Sequence, residues 1–131
     1  MKPLAKDYES EINTNIEPGL PSIVTYRDEI LRVLNNLVGN AINHNTKGTT
    51  INIFAQKIDS EIKIAVRDNG KGIPDEEKAN IFQRYPTQKR KIGTGLGLYL
   101  SKQIITAHNG KIWFETEGGK RTTFFFTLPL D

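Results

Sequence analysis

Thr49–Asp68, TTINIFAQKIDSEIKIAVRD, is the stretch that decides the fold of this chain. Ile51, Ile53 and Ala55 alternate with polar residues, and Ile62, Ile64 and Val66 do the same, which is the period of two half-buried strands. Asp59-Ser60 between them suits a tight turn, so the segment predicts a hairpin. Its second strand ends on Asp68 and runs into Asn69-Gly70-Lys71-Gly72. That places a carboxylate at a strand end, beside a turn whose glycines let the backbone approach a flat ligand.

Upstream, Ile12 to Ile16 alternates in the same way and predicts a strand over Glu11 to Glu17. Pro18-Gly19-Leu20-Pro21 reads as a turn and Ser22 to Thr25 as a brief strand. A helix follows from Thr25, with Asp28 near a capping-box arrangement, and ends near His44-Asn45. Its apolar face is Ile30, Leu34, Leu37, Val38, Ala41 and Ile42. Downstream, Pro74-Asp75-Glu76-Glu77 opens a short helix running to about Phe82. Pro86 to Gly93 lacks apolar periodicity and predicts a mobile loop. A third helix runs from about Gly95 to His108, with Leu96, Leu100, Ile104 and Ile105 on one face, and Asn109-Gly110 ends it. Lys111 to Thr116 and Arg121 to Leu128 are the last strands, joined at Gly118-Gly119. Strands and helices mix without regular βαβ alternation, so the expected fold is α+β: a two-layer sandwich of a mixed or antiparallel sheet with about three helices on one face.

A chain of 131 residues is one domain on length alone. The absence of Cys excludes disulfides, thiolate zinc sites and a Cys nucleophile. A net charge of +3 does not call for nucleic acid. No apolar run is long enough to span a membrane and no signal-peptide pattern opens the chain, which fits a cytoplasmic, monomeric domain without membrane contact. Charge is concentrated locally: Arg84, Lys89, Arg90 and Lys91 are close together. Alone, such a run is more often a solvated loop than a site.

Three motifs carry possible chemistry. Asn36 and Asn40 share one helical face, with Asn43 and His44 a turn beyond. An amide oxygen is a neutral hard ligand suited to Mg²⁺, although an isolated Asn-x-x-x-Asn is more often a pair of surface amides or caps. Asp68 can accept a hydrogen bond from the exocyclic amine of adenine, where guanine has a carbonyl; taken alone, the same residues make a plain turn. Gly93-Thr94-Gly95-Leu96-Gly97-Leu98 opens a helix whose exposed N–H groups and dipole favour an anion. It is neither a Rossmann fingerprint nor a Walker A loop. Lys89, Arg90 and Lys91 just before it could close over phosphates as a lid, with Gly93 as hinge.

The order and spacing of Asn36–Ala41, Asp68–Ile73, Ile81–Tyr85 and Gly93–Leu98 resemble the N box, first glycine box, F box and second glycine box of sensor histidine kinases. From about Leu31 to Pro129 the chain looks like their catalytic and ATP-binding domain, of the Bergerat ATPase superfamily. The resemblance implies Mg²⁺ at Asn40, with Asn36 beside it in the catalytic centre. It further implies the adenine amine at Asp68, and the base edge at Gly72 with Gly70 and Ile73 around it. The phosphates would lie at Gly93 to Leu98 under Lys89, Arg90 and Lys91. Tyr85 belongs to the F box, His44 falls where an aromatic often packs on the base, and Thr122 falls at the Ser/Thr near the adenine pocket. Asn43 stands where the family often has Lys, Thr87 where it often has Arg, and Arg121 and Asn109 where Gly is usual. Lid geometry is affected more than nucleotide binding.

The implied activity is transfer of the γ-phosphoryl group of Mg-ATP to a histidine on a separate dimerisation domain of the same kinase, with a response regulator as indirect partner. Neither His44 nor His108 is followed by the acid and Pro of an acceptor motif, so the sequence reads as the catalytic domain alone, unable to phosphorylate itself. Two rivals stay open. A Bergerat-type hydrolase or serine kinase would carry Glu where this chain has Asn36. A nucleotide-binding docking module would bind ATP without transferring phosphate.

Overall fold

A computed structural model describes residues 11–20, 27–44, 49–70, 72–83, 97–117 and 120–130, with only the backbone of Asn43 and His44. Five strands form one sheet: β1 (Glu11–Ile16), β2 (Thr50–Ile58), β3 (Glu61–Asp68), β4 (Ile112–Glu117) and β5 (Arg121–Pro129), in the order β1-β2-β3-β5-β4. The described helices are α1 (Arg27–His44), α2 (Asp75–Lys78) and α3 (Gly97–Ala107). The sheet is mixed. β1 pairs parallel with β2 and every other ladder is antiparallel. The parallel pairing follows from the connection, because the chain crosses back through α1 between β1 and β2, whereas a tight hairpin joins β2 to β3. Asp59 in that hairpin has φ 55, a conformation Asp tolerates better than most residues.

Register explains the two layers. Ile53 pairs with Val66, Val66 with Phe124 and Phe124 with Phe114, so one row of apolar side chains crosses the sheet on a single face. Ile51, Val66, Phe124, Phe126 and Leu128 on that face are buried together with Val33, Leu37, Val38, Ala41 and Ile42 of α1 and Leu98 and Ile105 of α3. Phe82 packs half-buried against the same core, edge-on to Phe124 at 6.1 Å and tilted on Phe114 at 6.0 Å. The opposite sheet face is polar with an aromatic centre. Trp113 stacks on Phe125 at 5.2 Å, Lys63 lies 4.6 Å from the Phe125 ring, and Arg67 donates to Thr123 Oγ1 at 3.2 Å.

Three local expectations change. The short helix ends at Lys78 rather than near Phe82, and the chain continues in turns closed by Asn80 N–H to Glu77 O and Gln83 N–H to Asn80 O. These bonds span three residues and do not propagate an α-helix. At its start, the hydrogen bond and charge of Lys78 hold the exposed Asp75 carboxyl below the usual range. The buried face of α3 is Leu98, Ser101 and Ile105, while Leu100 is 39% exposed. Ile104 and Ile105 pack on the core as expected, whereas Leu100 turns outward and Ser101, hydrogen-bonded to Asn36, takes an inward place. On α1, fully buried Val33 extends the predicted face. Ser22–Thr25 and the loop from Pro86 to Gly93 lie outside the described residues.

The end of α3 is a Schellman cap: Gly110 N–H bonds to Ile105 O at 2.9 Å and Asn109 N–H to Thr106 O at 3.0 Å. Asn109 takes the left-handed position at φ 63. His108 Nδ1 lies 2.8 Å from Ile104 O and carries the proton, since a carbonyl only accepts.

Candidate functional site

One transverse row at the end of the sheet gathers the polar residues. Ile51 of β2, Asp68 of β3, Thr122 of β5 and Thr116 of β4 are successive register partners, so all four face the helical layer. Asp68 is 5% exposed and Thr122 4% exposed. Asp68 Oδ1 accepts the Gly70 N–H at 2.8 Å, which bends the chain out of β3. Asn69 anchors the same turn to β2, its Oδ1 accepting the Thr50 N–H at 2.8 Å. Gly72 sits at φ 82, where any side chain would be strained. The next N–H, that of Ile73, is donated to Thr116 Oγ1 at 3.0 Å. The loop after β3 is therefore tied down on both sides of the buried carboxylate.

The second part of the site is the contact between α1 and the start of α3. Asn36 and Asn40 are half-buried on α1. Asn36 Nδ2 donates to Gly97 O and to the fully buried Ser101 Oγ, each at 3.2 Å. Both amide protons of Asn36 thus hold the first turn of α3 against α1. A Cβ at Gly97 would lie 3.7 Å from the Asn36 side chain, so the helices meet closely there. Asn36 has a positioning contact that its sequence motif does not show.

Asp68, Gly70, Gly72, Ile73 and Thr122 come together at one end of the sheet, and Asn36, Gly97 and Leu98 at the α1–α3 contact. Asn40 lies one turn along α1 from Asn36. The side chains of Asn43 and His44, and the whole of Tyr85, Lys89, Arg90, Lys91, Gly93, Thr94, Gly95 and Leu96, lie outside the described residues. Sequence reasoning missed Ser101 and Thr116, and read Asn69 only as part of a turn. The available signal was a polar residue at an inward position: Ser101 breaks an apolar helical stripe and Thr116 falls on the core face of β4.

The donor set has a clear character. Among the described residues no cluster of three His, Asp or Glu side chains is placed to hold a metal. The amides on α1 suit a cation that takes few protein ligands, completing its shell from water and substrate phosphates, as Mg²⁺ does. A shallow cavity of about 340 Å³ on the opposite sheet face, lined by Phe54, Lys63, Arg67 and Phe125 among others, includes none of the residues named for the site.

The sequence model of the family described as histidine kinase-, DNA gyrase B-, and HSP90-like ATPase matches residues 25–131. This chain belongs to that family. A curated relative, the adaptive-response sensory kinase SasA of Prochlorococcus marinus, is 36% identical over 124 residues, covering 91% of this chain and 32% of the relative. The chain therefore spans about a third of the length of that relative. Among solved structures, the nucleotide-free catalytic domain of histidine kinase ThkA matches with TM-score 0.87 at 30% identity, over 98% of this chain and 84% of that one. ThkA in complex with response regulator protein TrrA matches with TM-score 0.80 at 27% identity, over 99% of this chain and 37% of that one. Full-length ShkA in complex with AMPPNP matches with TM-score 0.87 at 28% identity, over 98% of this chain and 27% of that one. The matched relatives include sensor histidine kinases and the catalytic domain of ThkA superposes over nearly the whole chain, so the fold is that of a histidine kinase catalytic domain.

Proposed function

We propose that this domain binds Mg-ATP and donates the γ-phosphoryl group to a histidine on a separate dimerisation domain of its parent kinase. A response regulator would receive the phosphoryl group afterwards, and the domain would work in the cytoplasm. The observation that carries this reading is the buried Asp68 carboxylate at the end of β3, beside Thr122, in a chain of this ATPase family. Asp68 accepts the adenine amine, and the positive φ of Gly72 lets the backbone come close to the base edge. Asn40 offers its oxygen to Mg²⁺, which would neutralise phosphate charge. Asn36 fixes the start of α3 at Gly97, and the N–H groups of that first turn would face the phosphates. Lys89, Arg90 and Lys91 supply cationic charge from the sequence that precedes it. No general base for water sits at Asn36, since a neutral amide takes up no proton near neutral pH. Among the described residues no helix is long and apolar enough to cross a membrane.

The adenine assignment is tested by calorimetric titration with ATP and GTP. The wild type is expected to prefer ATP. Asp68→Asn keeps an oxygen for the Gly70 N–H but turns the second oxygen into a donor, and should weaken ATP at least about tenfold, as loss of a hydrogen bond to a charged acceptor does. Equal ATP and GTP affinity in the wild type would remove the assignment. A second expectation concerns turnover. Incubated with γ-labelled ATP, the chain alone should acquire no acid-labile phosphate, whereas a cognate dimerisation hairpin added in trans should become labelled. Transfer should be slower than within a linked kinase, whose effective concentration is higher. Label on His44 or His108 of the isolated chain would overturn this.

A further inference from the structure

We infer that Thr116 sets the hydrogen-bond polarity of the base pocket: it takes the proton of the Thr122 hydroxyl, so that Thr122 meets the nucleobase as an acceptor only. The inference rests on the proposal that Asp68 and Thr122 receive adenine, and it names a specificity-determining residue which that proposal does not include.

A threonine hydroxyl has one proton to donate and two lone pairs to accept. Thr116 Oγ1 has three close polar partners: the Ile73 N–H at 3.0 Å, the Arg121 carbonyl oxygen at 3.0 Å and the Thr122 Oγ1 at 3.0 Å. The Ile73 amide can only donate and the Arg121 carbonyl can only accept. The single Thr116 proton therefore goes to Arg121 O, and one lone pair takes the Ile73 N–H. What remains for Thr122 is the second lone pair, so the Thr122 hydroxyl must be the donor. The opposite assignment would leave Thr116 Oγ1 and Arg121 O 3.0 Å apart with no proton between them. With donation to Arg121 the Thr116 hydroxyl is saturated, its one donor and two acceptor positions all used.

The consequence lies across the strand. Thr122 is the register partner of Asp68, both are nearly inaccessible, and both face the helical layer. With its proton committed to Thr116, Thr122 can offer only lone pairs, next to a carboxylate that also accepts. Two adjacent acceptors suit the amine at C6 of adenine, met directly or through one water, and repel the carbonyl that a 6-oxopurine carries there. Because Thr116 also holds the Ile73 N–H, one oxygen fixes both the loop after Gly72 and the polarity of Thr122. Thr116 acts through Thr122 and Ile73, and is a positioning residue.

The test compares ATP with inosine 5′-triphosphate, whose 6-position is a carbonyl, by calorimetric titration of the folded domain. Thr116→Val removes the acceptor, frees the Thr122 hydroxyl to donate to a carbonyl, and should lower the ATP-to-inosine-triphosphate preference at least about fivefold. Thr116→Ser keeps the hydroxyl and should keep the wild-type ratio. Thr122→Val should lower the ratio too, and Thr116→Val added to it should lower it no further, since the two act as one unit. If Thr116→Val does not fold, Thr116→Cys, a weak donor and acceptor, carries the same expectation. A Thr116 variant that weakens both nucleotides equally, or a Thr116→Ser that behaves like Thr116→Val, would overturn the inference. Wild-type protein that binds the two nucleotides equally would instead overturn the adenine pocket itself.

Discussion

Gly110→Ala is expected to destabilise the domain by about 3 kcal/mol, the upper part of the range for inserting atoms into a packed site. A Cβ at this position would stand 1.9 Å from the carbonyl oxygen of Thr127 and 3.0 Å from Ile105 Cγ2. The first obstacle is backbone of β5, which is bonded in register to both β3 and β4 and cannot retreat alone. Gly110 is also the residue whose N–H closes the Schellman cap onto Ile105 O, so moving it away from Thr127 breaks the end of α3. The neighbouring Lys111 N–H donates to Thr127 Oγ1, which shows how tightly this crossing is fastened. Thermal melting gives the readout, with Asn109→Gly as control. Asn109 already occupies the left-handed region at φ 63, where glycine carries no steric penalty, so that variant should match or slightly exceed the wild type. A Gly110→Ala protein that melts with the wild type would show that β5 yields at Thr127.

What the sequence revealed, and what it hid, follows from the distance over which each interaction acts. The hairpin from Thr50 to Asp68 was legible because a strand with one buried face must alternate, and two alternating runs around Asp59-Ser60 admit few other structures. The same holds for β1, β4, β5 and the long helix. The parallel placement of β1 beside β2 was not legible, since nothing in the local period of Ile12 to Ile16 names a partner. The stripe assigned to α3 holds at Ile104 and Ile105 and fails at Leu100 for a related reason. Leu100 looks like a core residue and Ser101 does not, until Asn36, 65 residues earlier, is seen donating to the Ser101 hydroxyl. Asp68, Gly72 and Thr122 could be picked out because they fall in motifs with a recognisable order. Thr116 could not, because its meaning comes from the Ile73 N–H, 43 residues away, and from the strand register that sets it beside Thr122. Local pattern thus reports which residues face inward. Which polar groups satisfy one another there is decided by tertiary contact.

Asn40→Ala is expected to abolish measurable phosphotransfer to an added dimerisation hairpin, a loss on the order of a hundredfold or more, as when one stabilising group is taken from a charged transition state. Asn36 and Asn40 of α1 divide the work. Asn36 spends both amide protons on Gly97 O and Ser101 Oγ, and so serves the geometry of α3. Asn40, half-buried one turn further along the same helix, is the amide proposed to ligate Mg²⁺. That division gives two distinguishable variants. Asn40→Ala should erase most of the difference between ATP affinities measured with Mg²⁺ and with a chelator, while leaving the chelator value near wild type. Asn36→Ala should weaken ATP in both conditions, because a loosened α3 no longer holds its N-terminal N–H groups toward the phosphates. Ser101→Ala should follow Asn36→Ala in kind and to a smaller degree, since the amide keeps its bond to Gly97 O. Asn40→Asp, which restores an oxygen ligand and adds charge, should recover the Mg²⁺ dependence at least in part. Titrations of the four variants with and without Mg²⁺ decide the matter. An Asn40→Ala protein with an unchanged Mg²⁺ response would move the metal away from this helix, whereas loss of Mg²⁺ dependence in Asn36→Ala alone would exchange the two roles.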